Sequence, residues 1–382
     1  MPITGIICEY NPFHLGHKKQ LDIIRANDPD GGIVCLMSGN YVQRGAPAIL
    51  DKSLRARAAV ESGADLVLEL PVTASMSSAE GFAQEGVRIL GGFCDALCFG
   101  AETADADTIL ATAKALLDEN FPDALHEALD KGLSFPAARQ AALQAMGLKQ
   151  DTLSEPNDIL ATEYCKAILQ QGVSMKPMPI HRQGGYHDLT ADPQNPSATA
   201  VRELMLQGES FGVYIPRQTQ DIFADAPLYT TTAGEQAILY RLRTMTDAEF
   251  ETLPYGSEGL WRKLMHNARK YGTLEEIITA TKSKRYTRTR LDRMVMCAFL
   301  GIAATDIATP TPYARVLAFR DKGREILKKA RQTGLFPNAG ESVDHPYQKI
   351  EHRAGRLYNL FCTNGNEPPF DEGDRRVYYK AD

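Results

Sequence analysis

His14-Leu15-Gly16-His17 sets two imidazoles around a glycine, directly after Cys8-Glu9-Tyr10-Asn11-Pro12-Phe13. Imidazole N–H groups can donate to phosphate oxygens as charge builds on them. The glycine lets backbone approach a ligand closely. Upstream, the apolar run Ile3–Cys8 has the length and composition of a buried parallel strand. Downstream, Lys18–Ala26 carries apolar Leu21, Ile23 and Ile24 and is closed by Asp28-Pro29 and Gly31-Gly32, so it reads as a helix. The tetrad therefore sits where a strand hands over to a helix, and there free backbone N–H groups and the helix dipole favour an anion. This pattern predicts a nucleotide-binding enzyme. Metal ligation competes with that reading, but no Glu-x-x-His or Cys-x-x-Cys partner stands nearby. A chance surface pair is the plainer alternative, and position favours phosphate.

Further loops bear similar chemistry. Ser38-Gly39-Asn40-Tyr41-Val42-Gln43-Arg44-Gly45 frames a polar run and one arginine between glycines, which suits a bound anion or an ordinary turn. Asn157, after Pro156 and before Asp158, either reads a nucleoside or caps a helix. Arg182, beside Gly184-Gly185, either reaches a polyphosphate or forms a salt bridge. Ser197-Ala198-Thr199-Ala200-Val201-Arg202 offers a second anion site or a plain Ser/Thr cap.

The elements that must position these loops alternate. Strands are expected at Ile3–Cys8, Ile33–Met37, Leu66–Leu70, Ala96–Phe99 and near Met175–Ile180. Helices are expected at Lys18–Ala26, Ser53–Ser62, Ser77–Leu90 and Asp158–Leu169, with residues 104–150 helical as well. Such alternation specifies an α/β fold with a doubly wound parallel sheet and ligands at the carboxyl ends of its strands. The suspicious loops fall at those ends. Beyond about residue 215 helical periodicity takes over, as in Leu291, Met294, Val295, Ala298, Phe299 and Ile302. We therefore expect a catalytic domain over residues 1–215 and a mainly helical domain over 216–382.

A chain of 382 residues accommodates two domains. Its 43% hydrophobic and 24% charged content is ordinary for a soluble protein, and no run approaches the ~18 apolar residues of a membrane span. With no signal-peptide pattern, the expected location is cytoplasmic, without membrane association. Seven cysteines scattered through apolar segments suit reduced core thiols. The net charge of −6 argues against indiscriminate nucleic-acid binding. Yet Lys282–Arg293 holds six basic residues and one acidic, and Arg315–Arg331 holds seven basic against Asp321 and Glu325. Each cluster is either a polyanion site, with Tyr286 available to stack on a base, or a solvated helix face.

Together, His14-x-Gly-His17 and Ser197-x-Thr199-x-x-Arg202 resemble the paired motifs of the HIGH superfamily of nucleotidyltransferases. Glu9-Tyr10-Asn11-Pro12-Phe13-His14, Ser38–Gly45, Phe99-Gly100-Ala101-Glu102, Pro156-Asn157-Asp158 and Lys284-Arg285-Tyr286-Thr287 follow in one order. That order resembles the bacterial tRNA(Met) cytidine acetate ligase family over nearly the whole chain. Leu15 and Ala101 depart from it, standing where polar Asn and Ser are expected.

The resemblance implies a Rossmann-like nucleotidyltransferase fold and an AMP-forming ligase. On that resemblance, acetate would attack the α-phosphate of ATP and the acetyl group would pass to N4 of the wobble cytidine of elongator tRNA(Met). It implies an ATP pocket of Ile7, Cys8, Glu9, Tyr10, Asn11, Pro12, Phe13, His14, Leu15, Gly16, His17, Lys18, Lys19 and Gln20, with Gly100, Glu102, Asn157 and Arg182. Ser197, Thr199 and Arg202 would hold the tail phosphates, and His14, His17 and Arg44 would be catalytic. Ser38, Gly39, Asn40, Gln43 and Arg44 are assigned to acetate or cytidine, and Lys284, Arg285 and Arg288 to the tRNA backbone. Magnesium is compatible with the ATP on chemical grounds, with no dedicated metal residues, and the motifs leave the oligomeric state open. The rival readings are an adenylyltransferase acting on a small phosphorylated metabolite and a non-catalytic RNA-binding protein that keeps a nucleotide pocket.

Overall fold

The computed structural model describes residues 1–133, 135–148, 153–182, 192, 196–283, 286–311, 313–334, 346–365, 368–369 and 376–381. Its strands are β1 (Ile3–Cys8), β2 (Gly32–Ser38), β3 (Tyr41–Val42), β4 (Ala46–Pro47), β5 (Leu66–Leu70), β6 (Ala96–Ala101), β7 (Lys176–His181), β8 (Arg315–Arg320) and β9 (Tyr378–Lys380). All but β3 and β4 join one sheet in the order β7-β6-β1-β2-β5-β8-β9. The strands from β7 to β5 run parallel. β2 and β5 are buried along their whole length, as continuous apolar runs covered on both faces must be. Side chains along β2 alternate. Val34 and Leu36 join one core with Leu68, Phe82 and Val87, while Cys35 and Met37 join another with Leu21, Ile24 and Val60.

The sheet is the doubly wound one that the alternation specifies. Strand order turns at β1, which lies between β2 and β6. A crevice opens at such a point beyond the carboxyl ends of the strands, and the His14–His17 turn follows β1 there. β3 and β4 form a separate antiparallel hairpin after β2, with Gln43, Arg44 and Gly45 at its tip.

The second half of the chain is mainly helical, and Leu291, Met294, Val295, Ala298, Phe299 and Ile302 share one buried cluster. It also returns to the first sheet, which the periodicity did not indicate. β8 pairs antiparallel with β5, Leu66 facing Phe319, and β9 pairs parallel with β8. The basic stretch Arg315–Arg331 is therefore β8 followed by the helix Asp321–Arg331, which packs Ile326 and Ala330 against the sheet. The described cysteines are free thiols, and all except Cys8 are buried.

Candidate active site

His14 is the N-cap of the helix Leu15–Asn27. Its Nδ1 accepts the Gly16 N–H at 3.1 Å, and Nδ1 of His17 accepts the His14 N–H at 3.2 Å. This is a capping box in which imidazoles replace the usual hydroxyl and carboxylate. Gly16 is required sterically, because a Cβ there would lie 2.9 Å from Cε1 of His14. Since each Nδ1 accepts, a neutral ring carries its proton on Nε2. Burial, then Arg182 and Arg202, pushes the His14 pKa down to about 3. Burial, then His14 and Arg182, holds His17 well below its usual range. Both rings are thus neutral Nε2–H donors at pH 7, and the positive charge of the site comes from arginines.

Arg202 projects from the helix Ala198–Gln207, whose N-cap Ser197 accepts the Ala200 N–H at 3.0 Å. Its Nη1 donates to the Asn11 carbonyl at 2.7 Å and its Nη2 to Thr199 Oγ1 at 3.0 Å. Ser197 and Thr199 therefore do the capping and bracing that their residue types equally suggested. Opposite, Arg182 follows β7 and donates to Asn157 Oδ1 at 3.2 Å. Asn157 donates in turn to Glu102 Oε1 at 2.5 Å, and Glu102 accepts the Asp158 N–H at 3.0 Å. Glu102 thereby fixes the Asn157 amide from behind.

These groups enclose a cavity of about 750 Å³, walled by Ile7–Asn11, His14, Gly16, His17, Lys19 and Gln20 on one side. Gly100, Asn157, Arg182, Ser197, Thr199 and Arg202 line it further round, with Gln43 and Arg44 at the hairpin tip. Among the described residues the wall omits Pro12, Phe13, Leu15, Lys18, Glu102, Ser38, Gly39 and Asn40. Several of these build the frame instead. Phe13 packs edge-on against Tyr10, Lys18 pairs with Asp22, and Asn40 accepts the Lys52 N–H at 2.8 Å. Glu9 Oε1 accepts the Gln43 N–H at 2.8 Å, tying the hairpin to the end of β1.

Sequence reasoning missed two parts of this site. Thr230, Thr231 and Thr289, from the helical half, close the far wall of the cavity, and no local pattern marks them. Arg55 is fully buried and donates to the carbonyls of Leu50 at 2.9 Å, Glu9 at 2.5 Å, Ser38 at 3.1 Å, and Gly39. It fastens the ends of β1 and β2 together below the cavity. Burial lowers its pKa from the ordinary value, and a guanidinium stays charged in proteins.

The tRNA-assigned residues divide. Lys284 and Arg285 lie outside the described residues. Arg288 is exposed and pairs with Glu275 at 2.8 Å and Asp292 at 2.9 Å. Among the described residues no group of three or more His, Cys, Asp or Glu could hold a metal ion. No described helix is long and apolar enough to cross a membrane.

The family model described as HIGH Nucleotidyl Transferase matches residues 1–371. The chain is 34% identical to the tRNA(Met) cytidine acetate ligase of Clostridium acetobutylicum, over 99% of each protein. It is 37% identical to that of Clostridium novyi, over 88% of this chain and 89% of the relative. Its fold is similar to apo Thermotoga maritima TmcAL (TM-score 0.90) and to the same protein bound with alpha-thio ATP (TM-score 0.88). Both share 28% identity with the chain, and the likeness covers 100% of each.

Proposed function

This chain belongs to the tRNA(Met) cytidine acetate ligase family, and on that premise we propose that it activates acetate with ATP and acetylates the wobble cytidine of elongator tRNA(Met). The observation that carries the reading is the pair of neutral imidazoles held at a helix N-terminus inside a cavity rimmed by Arg44, Arg182 and Arg202. That set of donors suits a triphosphate.

A carboxylate oxygen of acetate attacks the α-phosphorus, and the bond to the bridging oxygen breaks, so diphosphate leaves and acetyl-adenylate forms. The arginines screen the approach of one anion to another. The two Nε2–H groups donate to phosphate oxygens as negative charge shifts towards the leaving diphosphate. In the second step the cytidine N4 lone pair attacks the acetyl carbon. The carbon–oxygen bond to AMP breaks, the N4 proton is lost, and N4-acetylcytidine and AMP are released. Activation as a mixed anhydride supplies the leaving group that a poorly nucleophilic aromatic amine needs.

ATP and the triphosphate tail are assigned to the wall from Ile7 to Gln20, Gly100, Asn157, Arg182, Ser197, Thr199 and Arg202. Acetate and cytidine are assigned to the side formed by Gln43 and Arg44. Acetate-dependent exchange of labelled diphosphate into ATP tests the first step. Exchange that requires acetate supports the reading. Exchange driven instead by a phosphorylated metabolite would mark an adenylyltransferase.

A further inference from the structure

Arg290 and Arg293 belong to the basic run that the sequence offers as a polyanion surface, yet the fold turns both inward. Arg290 donates to the Tyr255 carbonyl through Nε at 3.0 Å and Nη2 at 2.8 Å, and through Nη2 to Ser257 Oγ at 3.0 Å. This holds Tyr255 in a left-handed backbone conformation, φ 67°, which is uncommon for a bulky residue. The Tyr255 hydroxyl donates to the Met76 carbonyl at 2.7 Å. The carbonyl of the next residue, Ser77, accepts a hydrogen bond from Gln43 Nε2 at 3.2 Å.

Arg293 is 9% exposed, its guanidinium 5.2 Å from the Tyr255 ring centre, and its Nη1 donates to the Gln43 carbonyl at 3.3 Å. The contact continues along the backbone. A Cβ at Gly45 would lie 2.3 Å from the Arg293 nitrogen, and Gly45 has φ 81°. Only glycine lets the hairpin tip rest directly on the first turns of the helix Arg288–Leu300. That helix presents Arg288 to solvent and Thr289 to the cavity. One rigid element thus touches the outer basic surface, the cavity wall and the loop bearing Gln43 and Arg44.

We propose that Arg293 is a positioning residue that sets Gln43 and Arg44 for acyl transfer and ties their placement to the helix on which the tRNA docks. This rests on the ligase reading above. Arg293 does not line the cavity; it acts through the Gln43 carbonyl and the tip of the hairpin.

The test compares wild type, Arg293→Met and Arg293→Lys in steady-state acetyl transfer with tRNA(Met) varied, alongside affinity for a non-hydrolysable ATP analogue. Arg293→Met is expected to lower kcat about tenfold to a hundredfold, the cost of a misplaced group, while tRNA KM and analogue affinity stay within about threefold. Arg293→Lys, which keeps a cation near the Gln43 carbonyl, is expected to fall between the two. Wild-type kcat in Arg293→Met overturns the proposal. So does a parallel loss of analogue affinity and kcat in both variants, which marks a general defect. If Arg293→Met does not fold, Arg293→Lys decides: reduced kcat at unchanged affinity supports the role, and wild-type kcat overturns it. If the wild type itself transfers no acetyl group, the ligase reading fails. The positioning claim is then decided by tryptic cleavage after Arg44, expected to be several-fold faster in the folded variant than in wild type. An equal rate overturns it.

Discussion

His14 and His17 stack with ring centroids 3.7 Å apart and planes 25° from parallel, and each spends Nδ1 on a backbone N–H of the same helical turn. Each ring thereby commits one nitrogen to capping the helix. Nδ1 orients the imidazole, and Nε2–H is left as the donor. Burial chiefly, and then the neighbouring positive groups, keep both rings neutral.

His17→Ala is expected to reduce acetyl transfer by a factor on the order of ten to a thousand, the range for loss of one oxyanion-type donor. His14→Asn is the sharper variant, because Asn caps helices well and the fold should persist. Its melting temperature should stay near wild type at neutral pH while turnover falls over the same range, as steady-state kinetics and thermal unfolding would show.

Stability should depend on pH through His14. Its folded pKa is about 3 against an ordinary 6.5. Above pH 6.5 the ring is neutral in both states and nothing is lost. As pH falls through 6.5 towards 3, the unfolded chain takes up a proton that the folded one does not, so stability falls. Over the first pH unit below 6.5 this amounts to about 1 kcal/mol. His14→Asn should therefore show a shallower drop in melting temperature than wild type over that interval.

Arg285→Ala combined with Arg288→Ala should weaken tRNA binding and flatten its dependence on salt, by about 0.7 to 0.9 in log–log slope for each phosphate that is no longer neutralised. Diphosphate exchange should be unaffected. Because the Arg288 ion pairs are exposed, the change in stability should stay below about 1 kcal/mol. Filter binding across a salt series and urea denaturation check the two statements.

Lys52 is 1% exposed and donates to Glu69 Oε1 at 2.5 Å, with Arg315 of β8 3.9 Å from the other carboxylate oxygen. Lys52→Met strands a buried carboxylate and should cost about 3 to 5 kcal/mol, read by urea denaturation. Lys52→Met combined with Glu69→Leu should recover a large part of that loss.

The sequence was most legible in its short apolar runs. Ile3–Cys8 and Leu66–Leu70 are rich in apolar residues, and their ends coincide with β1 and β5. β8, Arg315-Val-Leu-Ala-Phe-Arg320, carries arginines at both ends and is only half-buried at four of its positions. It looks like surface because its partner, β5, lies in the distant first half of the chain. The three residues of β9 are too few to show any period. The same limit governs the site. His14 and His17 announce themselves by spacing. Arg55 and Arg293 read as ordinary charges on helices, and their roles arise from carbonyls and rings that only the tertiary fold brings to them.

The central claim is tested most directly by incubating the protein with ATP, labelled acetate and unmodified elongator tRNA(Met), then digesting the tRNA and identifying the labelled nucleoside by mass. The ligase account predicts labelled N4-acetylcytidine at the wobble position, dependent on ATP, with one AMP released for each acetyl group transferred. ATP binding without label in the tRNA, together with AMP appearing on a small phosphorylated acceptor, would contradict it.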